Sequence, residues 1–443
     1  MLFRMVSRPS VRTVIRRAAT WVLSAALACG AVAASPGGTG GEVWITLGGD
    51  AFAVASRAID LASIGFPLTR VDEAGGVVLA RLPAAGLETL GGEIHRELQR
   101  CGGFIVHASL AEARAALLRA APDSRAPSAL GFVIDQPQWV AAVAGAVDEA
   151  QILATITTLS TNFANRYHAH PSGTAAATWI RDLWASYAAS RPEVTVELVT
   201  HTTTVQRSVV LTIPGTTLAS EVIVLGGHLD SIAPGTGNPN FLGPGADDDA
   251  SGIATLSEVV RVALAAGFHP QRTVQFMAYA AEEVGLRGSE AISASYLAAG
   301  TDVVAVLQQD MTGYHGSTED IAFISDFTNA ELNAFLVDLL AAYQPALTST
   351  TTACGYACSD HAPWHNRGFP AAFAFEAKMF EDNPFIHTTS DTVATLGGSA
   401  AHAAKFARLA AAFMVEAGVD GPSGIFSDGF ESETTGAWSL VAP

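Results

Sequence analysis

Apolar and polar positions follow two different rhythms along this chain. Before residue 120 the apolar runs are short and broken. Val43-Trp44-Ile45-Thr46-Leu47 and Gly76-Val77-Val78-Leu79-Ala80-Arg81-Leu82 predict strands, the second stopped by Pro83, and Phe104-Ile105-Val106-His107 predicts another. Leu87–Leu98 and Leu110–Arg119 predict helices, and no metal-ligand cluster stands out in this region. From Gln138 the rhythm becomes strand and helix in alternation. Helices are expected at Trp139–Leu159 and Thr174–Ala189, the latter with Trp179 and Trp184 on its buried side. Strands follow at Val194–Val199, Ser208–Ile213 and Val222–Leu225, then helix Gly252–Ala266 and strand Thr273–Tyr279. Helix Ser289–Ala299, strands Val303–Leu307 and Ile321–Ser325, helix Asn329–Tyr343, strand Ala371–Phe375 and helix Ser399–Gly418 complete the series. This order predicts an α/β protein: three α/β/α layers around a mostly parallel central sheet, preceded by a small α+β unit.

Length and composition divide the chain. At 443 residues it exceeds one ordinary domain. Arg4, Arg8, Arg12, Arg16 and Arg17 precede an apolar run to Ala34 in which Ala31-Val32-Ala33 offers small residues for cleavage, so residues 1–34 have the layout of a signal peptide. A membrane span needs about 20 apolar residues, and this run is broken by Ser24 and Gly30. Residues 35–125 then read as a prosegment, or as an N-terminal domain that stays attached. Ala121-Pro122-Asp123-Ser124-Arg125-Ala126-Pro127-Ser128 has linker composition. Residues 130–418 read as the alternating α/β unit and 419–443 as a tail rich in Gly, Ser, Glu and Thr. The net charge is −18, and five of the 24 basic residues lie in the first 34, so the remainder is more acidic still. That argues against nucleic acid and anionic membrane surfaces as partners.

Chemistry gathers where the apolar runs stop. His228 and Asp230 follow the strand at Val222, and a loop rich in Gly, Pro and Asn leads to Asp247-Asp248-Asp249 ahead of a helix. Glu282-Glu283 follow the strand at Thr273, Asp310 the strand at Val303, and Glu376 and His387 the strand at Ala371. One acidic loop would be a solvated surface. A parallel sheet, however, brings the carboxyl ends of its strands together. Imidazoles and carboxylates collected there suit a divalent metal such as zinc.

In order, His228-Leu229-Asp230, Gly245-Ala246-Asp247-Asp248-Asp249-Ala250-Ser251-Gly252, Ala281-Glu282-Glu283-Val284-Gly285-Leu286-Arg287-Gly288-Ser289, Gln309-Asp310-Met311 and Ile386-His387-Thr388-Thr389 resemble the motifs of secreted two-zinc aminopeptidases. The likeness is to the bacterial leucyl aminopeptidase branch of the M28 peptidases, spans roughly residues 130–418, and includes Cys354-Gly355-Tyr356-Ala357-Cys358-Ser359-Asp360-His361. It implies a zinc-exopeptidase-like fold and two Zn2+ ions. His228 and Asp310 would hold one, Glu283 and His387 the other, and Asp248 would bridge them, with a cis peptide after it. Glu282 would act as general base toward a metal-bridging water and pass the proton to the leaving amine. Asp230 would orient His228. Met311, Tyr356, Phe373, Phe375, Met379 and Ile386 would line a pocket for a leucine-like or other large apolar side chain, with the Tyr356 hydroxyl toward the oxyanion.

The same resemblance implies a Cys354–Cys358 disulfide pinning the Tyr356 loop. A metal-binding role for that pair would need further soft ligands, which the region lacks; Cys29 and Cys101 fall in the signal and the prosegment. The expected protein is a secreted monomer, extracellular or periplasmic and free of the membrane after processing. It would act on peptides with a free N-terminus, with its own prosegment as inhibitor or folding aid. Competing readings are a carboxypeptidase or a single-zinc glutaminyl cyclase on the same scaffold, and a non-catalytic peptide-binding ectodomain. The complete set of five ligands counts against the cyclase and the ectodomain.

Overall fold

A computed structural model describes residues 41–60, 65–98, 100, 103–119, 130–235 and 240–421. The signal-like segment, Cys29, Cys101, the 121–128 linker and the tail beyond 421 lie outside those residues. The N-terminal lobe comprises β1 (Glu42–Gly48), α1 (Gly49–Asp60), β2 (Thr69–Ala74), β3 (Val77–Pro83), α2 (Leu87–Leu98), β4 (Phe104–His107) and α3 (Leu110–Arg119). Its antiparallel sheet runs β2-β3-β1-β4. Alternate residues of β3 face opposite ways. Val78, Ala80 and Leu82 pack with Leu90 and Ile94 of α2, while Val77 and Leu79 pack with Ala113 and Leu117 of α3. Helices thus cover both faces, which is why β3 reads as one apolar run.

The main unit opens with α4 (Pro137–Ala144), α5 (Glu149–Asn162) and α6 (Pro171–Tyr187). The single helix expected at 139–159 is therefore two. The chain leaves helical conformation after Gly145 and restarts at Asp148, whose side chain accepts the Ala150 N–H at 2.9 Å. On α6, Trp184 is buried and donates to Ser257 Oγ at 2.9 Å, while Trp179 is half-buried against Phe163.

Strands β5 (Thr195–Val199), β6 (Ser208–Ile213), β7 (Leu218–His228), β8 (Arg272–Tyr279), β9 (Asp302–Gln309), β10 (Ile321–Ile324), β11 (Ser349–Thr352) and β12 (Ala371–Phe375) form one sheet in the order β11-β10-β12-β9-β7-β8-β6-β5. The four central strands, β12, β9, β7 and β8, are mutually parallel, and antiparallel pairings enter toward the edges. Along β7, Ile223 and Leu225 face a core built with α7 (Ala250–Ala265) and α11 (Ala401–Gly418), while Val222 and Val224 face Met277, Tyr279 and Trp364 on the other side. Burial on both faces explains the unbroken Val-Ile-Val-Leu run. Helices α8 (Arg287–Ala299) and α10 (His361–Asn366) lie on that second side, and α9 (Ala330–Tyr343) joins the first core. Among the described residues no single helix is long and apolar enough to cross a membrane.

Two glycines let the site close up. A Cβ on Gly227 would stand 2.6 Å from the Gln309 carbonyl oxygen, and one on Gly252 only 2.2 Å from that same atom. Any side chain there would push α7 and the end of β7 away from the end of β9, and so separate the carboxylates that each carries.

Candidate metal centre

The carboxyl ends of the central strands converge as the topology requires. β7 delivers His228 and Asp230, the turn after β8 delivers Glu282 and Glu283, and β9 leads to Asp310. Asp247-Asp248-Asp249 stand at the start of α7 with a cis peptide between Asp248 and Asp249, as expected from the resemblance. His387 comes from the loop after β12. His387 itself, Ala281 just before Glu282, and Met311 just after Asp310 have left-handed φ values of 55°, 56° and 57°. Such backbone costs roughly 1–2 kcal/mol at a non-glycine residue. It persists where surrounding structure over-determines it, as at functional sites.

Five side chains form two groups joined through Asp248. His228 Nε2 lies 2.8 Å from Asp248 Oδ1 and 3.4 Å from Asp310 Oδ1. His387 Nε2 lies 2.9 Å from Asp248 Oδ2 and 3.2 Å from Glu283 Oε2. The two oxygens of Asp248 therefore face opposite groups. All five residues are buried, yet His228 Nε2, both Asp248 oxygens, both Glu283 oxygens and Asp310 Oδ1 make no hydrogen bond. Buried carboxylates without hydrogen bonds are costly unless a cation compensates them. The donor set is imidazole nitrogen and carboxylate oxygen, which zinc accepts. The residues present fit metal ions.

The electrostatics agree. Burial alone would lower the His387 imidazole, but Glu283 and Asp248 outweigh it and hold it up at about 10. His228 is likewise raised well above its ordinary value, against burial, by Asp310, Asp230 and Asp248. The field of the carboxylates claims positive charge at both positions. Glu282 is buried, its Oε2 has no hydrogen-bond partner, and burial pushes it well above the usual carboxylate range, with Glu283 adding to the shift.

The supporting residues are mostly acids used as backbone acceptors. Asp249 takes the His228 N–H at 2.9 Å, the Gly252 N–H at 2.8 Å and the Met311 N–H at 3.2 Å. Asp247 accepts from Gly313 N and Asn383 Nδ2, while Asp391 accepts from the Asp247 and Asp248 N–H groups. Asp230 does more than the sequence suggested. Its Oδ1 stands 3.5 Å from His228 Nδ1, but it also accepts the Glu282 N–H at 2.9 Å, and its Oδ2 the Glu283 N–H at 3.2 Å. Arg166, fully buried, ties the surrounding loops by donating to the carbonyls of Leu159, Leu229, Pro244 and Gly245. Nothing in its local sequence marks it.

Beside the acids lies an apolar cluster containing all six expected pocket residues, Met311, Tyr356, Phe373, Phe375, Met379 and Ile386, together with Ile324. Cys354 and Cys358 in the same cluster form a disulfide. The N-terminal lobe meets this site, and here the sequence reading needs correction: that lobe does contribute a metal-ligand type. His95 on α2 lies with Glu283 and His387, their donor atoms all within 4.8 Å of one another. Arg100 places its guanidinium 3.7 Å from the centre of the Tyr356 ring. His95 lies on the polar face of α2 and Arg100 just beyond its end, positions that look solvated in sequence alone.

A buried imidazole–carboxylate centre at the carboxyl edge of a parallel sheet defines an α/β metalloenzyme. Residues 208–414 match the peptidase family M28. The chain is 39% identical over 271 residues to leucine aminopeptidase 1 of Coccidioides posadasii, spanning 58% of this chain and 68% of that protein. It is 35% identical over 267 residues to a probable aminopeptidase of Saccharomyces cerevisiae, spanning 58% and 70%. The LapA aminopeptidase of Legionella pneumophila superposes with a TM-score of 0.72 at 26% identity, covering 86% of this chain and 99% of that one. The chain belongs to peptidase family M28 and is a metallo-aminopeptidase, a hydrolase.

Proposed function

We propose that this chain is a secreted dizinc aminopeptidase that removes a leucine-like or other large apolar residue from peptide N-termini. The observation that carries this reading is Asp248, whose two carboxylate oxygens face separate donor groups at 2.8 and 2.9 Å. His228 and Asp310 would hold one ion, Glu283 and His387 the other, with Asp248 shared. When bound, such a pair makes a water nucleophilic at neutral pH and polarises the scissile carbonyl. Glu282 takes the proton of the attacking water and delivers it to the leaving amine. Its burial beside Glu283 raises its proton affinity, which suits a group that must both accept and return a proton. Asp230 fixes the Glu282–Glu283 backbone and so aims both side chains. Phe373, Phe375 and Met311 offer apolar surface to the substrate's first side chain, and the Tyr356 loop, held by the disulfide, borders it.

In this reading residues 1–34 are a signal peptide, 35–125 a prosegment and the mature enzyme a monomer. The test is metal analysis of the processed protein with a panel of aminoacyl amides. Two zinc ions per chain and cleavage of leucine amide only when its amine is free are expected. A single ion with cyclisation of N-terminal glutamine, or release of C-terminal residues, would overturn the proposal.

A further inference from the structure

The second donor group contains one imidazole more than the aminopeptidase reading uses. It comes from the N-terminal lobe. On α2, Leu87, Leu90, Gly91 and Ile94 face the lobe's own core. Glu88 and His95, seven residues and two turns apart on one side of that helix, instead face the catalytic unit. Glu88 Oε1 lies 3.6 Å from His168 Nε2. His95 Nε2 lies 3.9 Å from Glu283 Oε2, and its ring centre is 4.7 Å from that of His387 at an angle of 46°. His95 Nε2 is buried and has no hydrogen-bond partner. A buried ring nitrogen in that condition calls for an explanation, and here it is aimed at two groups already assigned to a metal.

The distances suit ligation. A tetrahedral zinc site with bonds of about 2.0–2.1 Å has donor–donor edges of about 3.3–3.4 Å. His387 to Glu283 is 3.2 Å and His95 to Glu283 is 3.9 Å. Among the described residues the first donor group has three members, His228, Asp248 and Asp310. The second has Asp248, Glu283, His387 and His95.

We infer that His95 is a metal-binding residue: in the intact chain it occupies the fourth position at the Glu283–His387 site and keeps the enzyme latent by ligation. This rests on the dizinc reading above. Catalytic zinc sites keep a position open, whereas closed four-ligand sites are structural. With His95 in place one half of the centre is of the closed kind, and the carbonyl or amine of a substrate has no vacant position there. Other contacts hold the lobe down around this ligand. Arg100 stacks on Tyr356, Arg367 bridges Glu112 of α3 and Glu290 of α8 at 2.7 Å each, and Ile105 packs with Leu286 and Ala362. Activation would then consist of withdrawing one imidazole together with its lobe.

The test uses the full chain, stripped of metal and titrated with zinc or with cobalt(II). In ¹⁵N-histidine-labelled wild type, the Nε2 resonance of His95 should move to the range of a metal-bound nitrogen when the ions enter. His95→Gln, which keeps a polar side chain on α2, should weaken one of two ions by at least the ~10–100-fold typical of losing even an outer partner, and leave the other unchanged. The visible spectrum of the cobalt form should shift at the weakened site, and leucine amide hydrolysis by the unprocessed variant should rise. Two bound ions with the His95 resonance unmoved would overturn the ligation while leaving the dizinc reading intact. One bound ion with that resonance moved would overturn the dizinc reading and keep His95 as a ligand.

Discussion

The two halves of the proposed metal centre are built differently. His228 ends β7 and Asp310 follows β9, so both hang from neighbouring parallel strands. Each is held again from outside: the His228 N–H by Asp249 at 2.9 Å, and Asp310 Oδ2 by the Ser359 hydroxyl at 2.6 Å. Glu283 and His387 sit on a turn and a loop. Glu283 makes no side-chain hydrogen bond and depends on its backbone N–H to Asp230, while His387 holds a left-handed backbone and abuts the N-terminal lobe. A site on strand ends is placed by the sheet, and one on loops by whatever packs against them. The first half is therefore the preorganised one, and the second is where access and control can act.

The largest expected effect falls between the halves. Glu282→Gln keeps the backbone bond to Asp230 and the shape of the side chain, so both ions should remain. Turnover should fall by about 100-fold or more, the scale of a lost general acid–base group. Metal analysis alongside kcat measures this, and near-normal turnover would remove Glu282 from the chemistry. Asp230→Asn should cost less, roughly 10–100-fold in activity or metal affinity. The amide oxygen can still take one of the Glu282 and Glu283 N–H groups, but the NH2 then confronts the other. Because Asp230 touches His228 as well, this change should weaken both ions together. A loss confined to one ion would contradict its position across the two halves.

How much of this was legible in the sequence follows from the same contrast. The central strands announce themselves because burial on both faces makes them continuous apolar runs ended by glycine or by ionisable residues, so the side chains they bring to the candidate site can be located in the sequence. β2, written Thr-Arg-Val-Asp-Glu-Ala, and β11, Ser-Thr-Thr-Thr, give no apolar run because each lies at a sheet edge and has no fully buried side chain. α10, six residues containing Pro363, is too short to show a period. α1 is amphipathic, but Ala51, Ala55 and Ala58 make up most of its buried face, and alanine gives only a weak hydrophobic period. His95 and Arg166 are harder cases. Their local surroundings read as a solvated helix face and a loop, and only tertiary packing turns one toward Glu283 and the other onto four carbonyls.

The smallest effect gives the sharpest test of the contrast. Ser359 is fully buried; its hydroxyl donates to Asp310 Oδ2 and accepts from Gln308 Nε2 at 3.0 Å. The other oxygen of Asp310 faces His228 without a hydrogen bond. Ser359 thus fixes the carboxylate by the oxygen turned away from His228, and its hydrogen bonds run to Asp310 and Gln308 rather than to Glu283 or His387. Hydrogen bonds to charged groups are worth about 1.5–3 kcal/mol, and roughly half of that, spent on orientation, corresponds to about a tenfold change in affinity. Ser359→Ala should therefore weaken the ion at His228 and Asp310 by about tenfold, leave the ion at Glu283 and His387 unchanged, and lower turnover less than Asp230→Asn does. Stepwise zinc titration of the stripped protein separates the two ions. Equal weakening of both would mean that Asp248 transmits strain across the centre and that the halves are one unit. No weakening at all would mean that the strand end alone aims Asp310, with the hydroxyl adding nothing to what the sheet already provides.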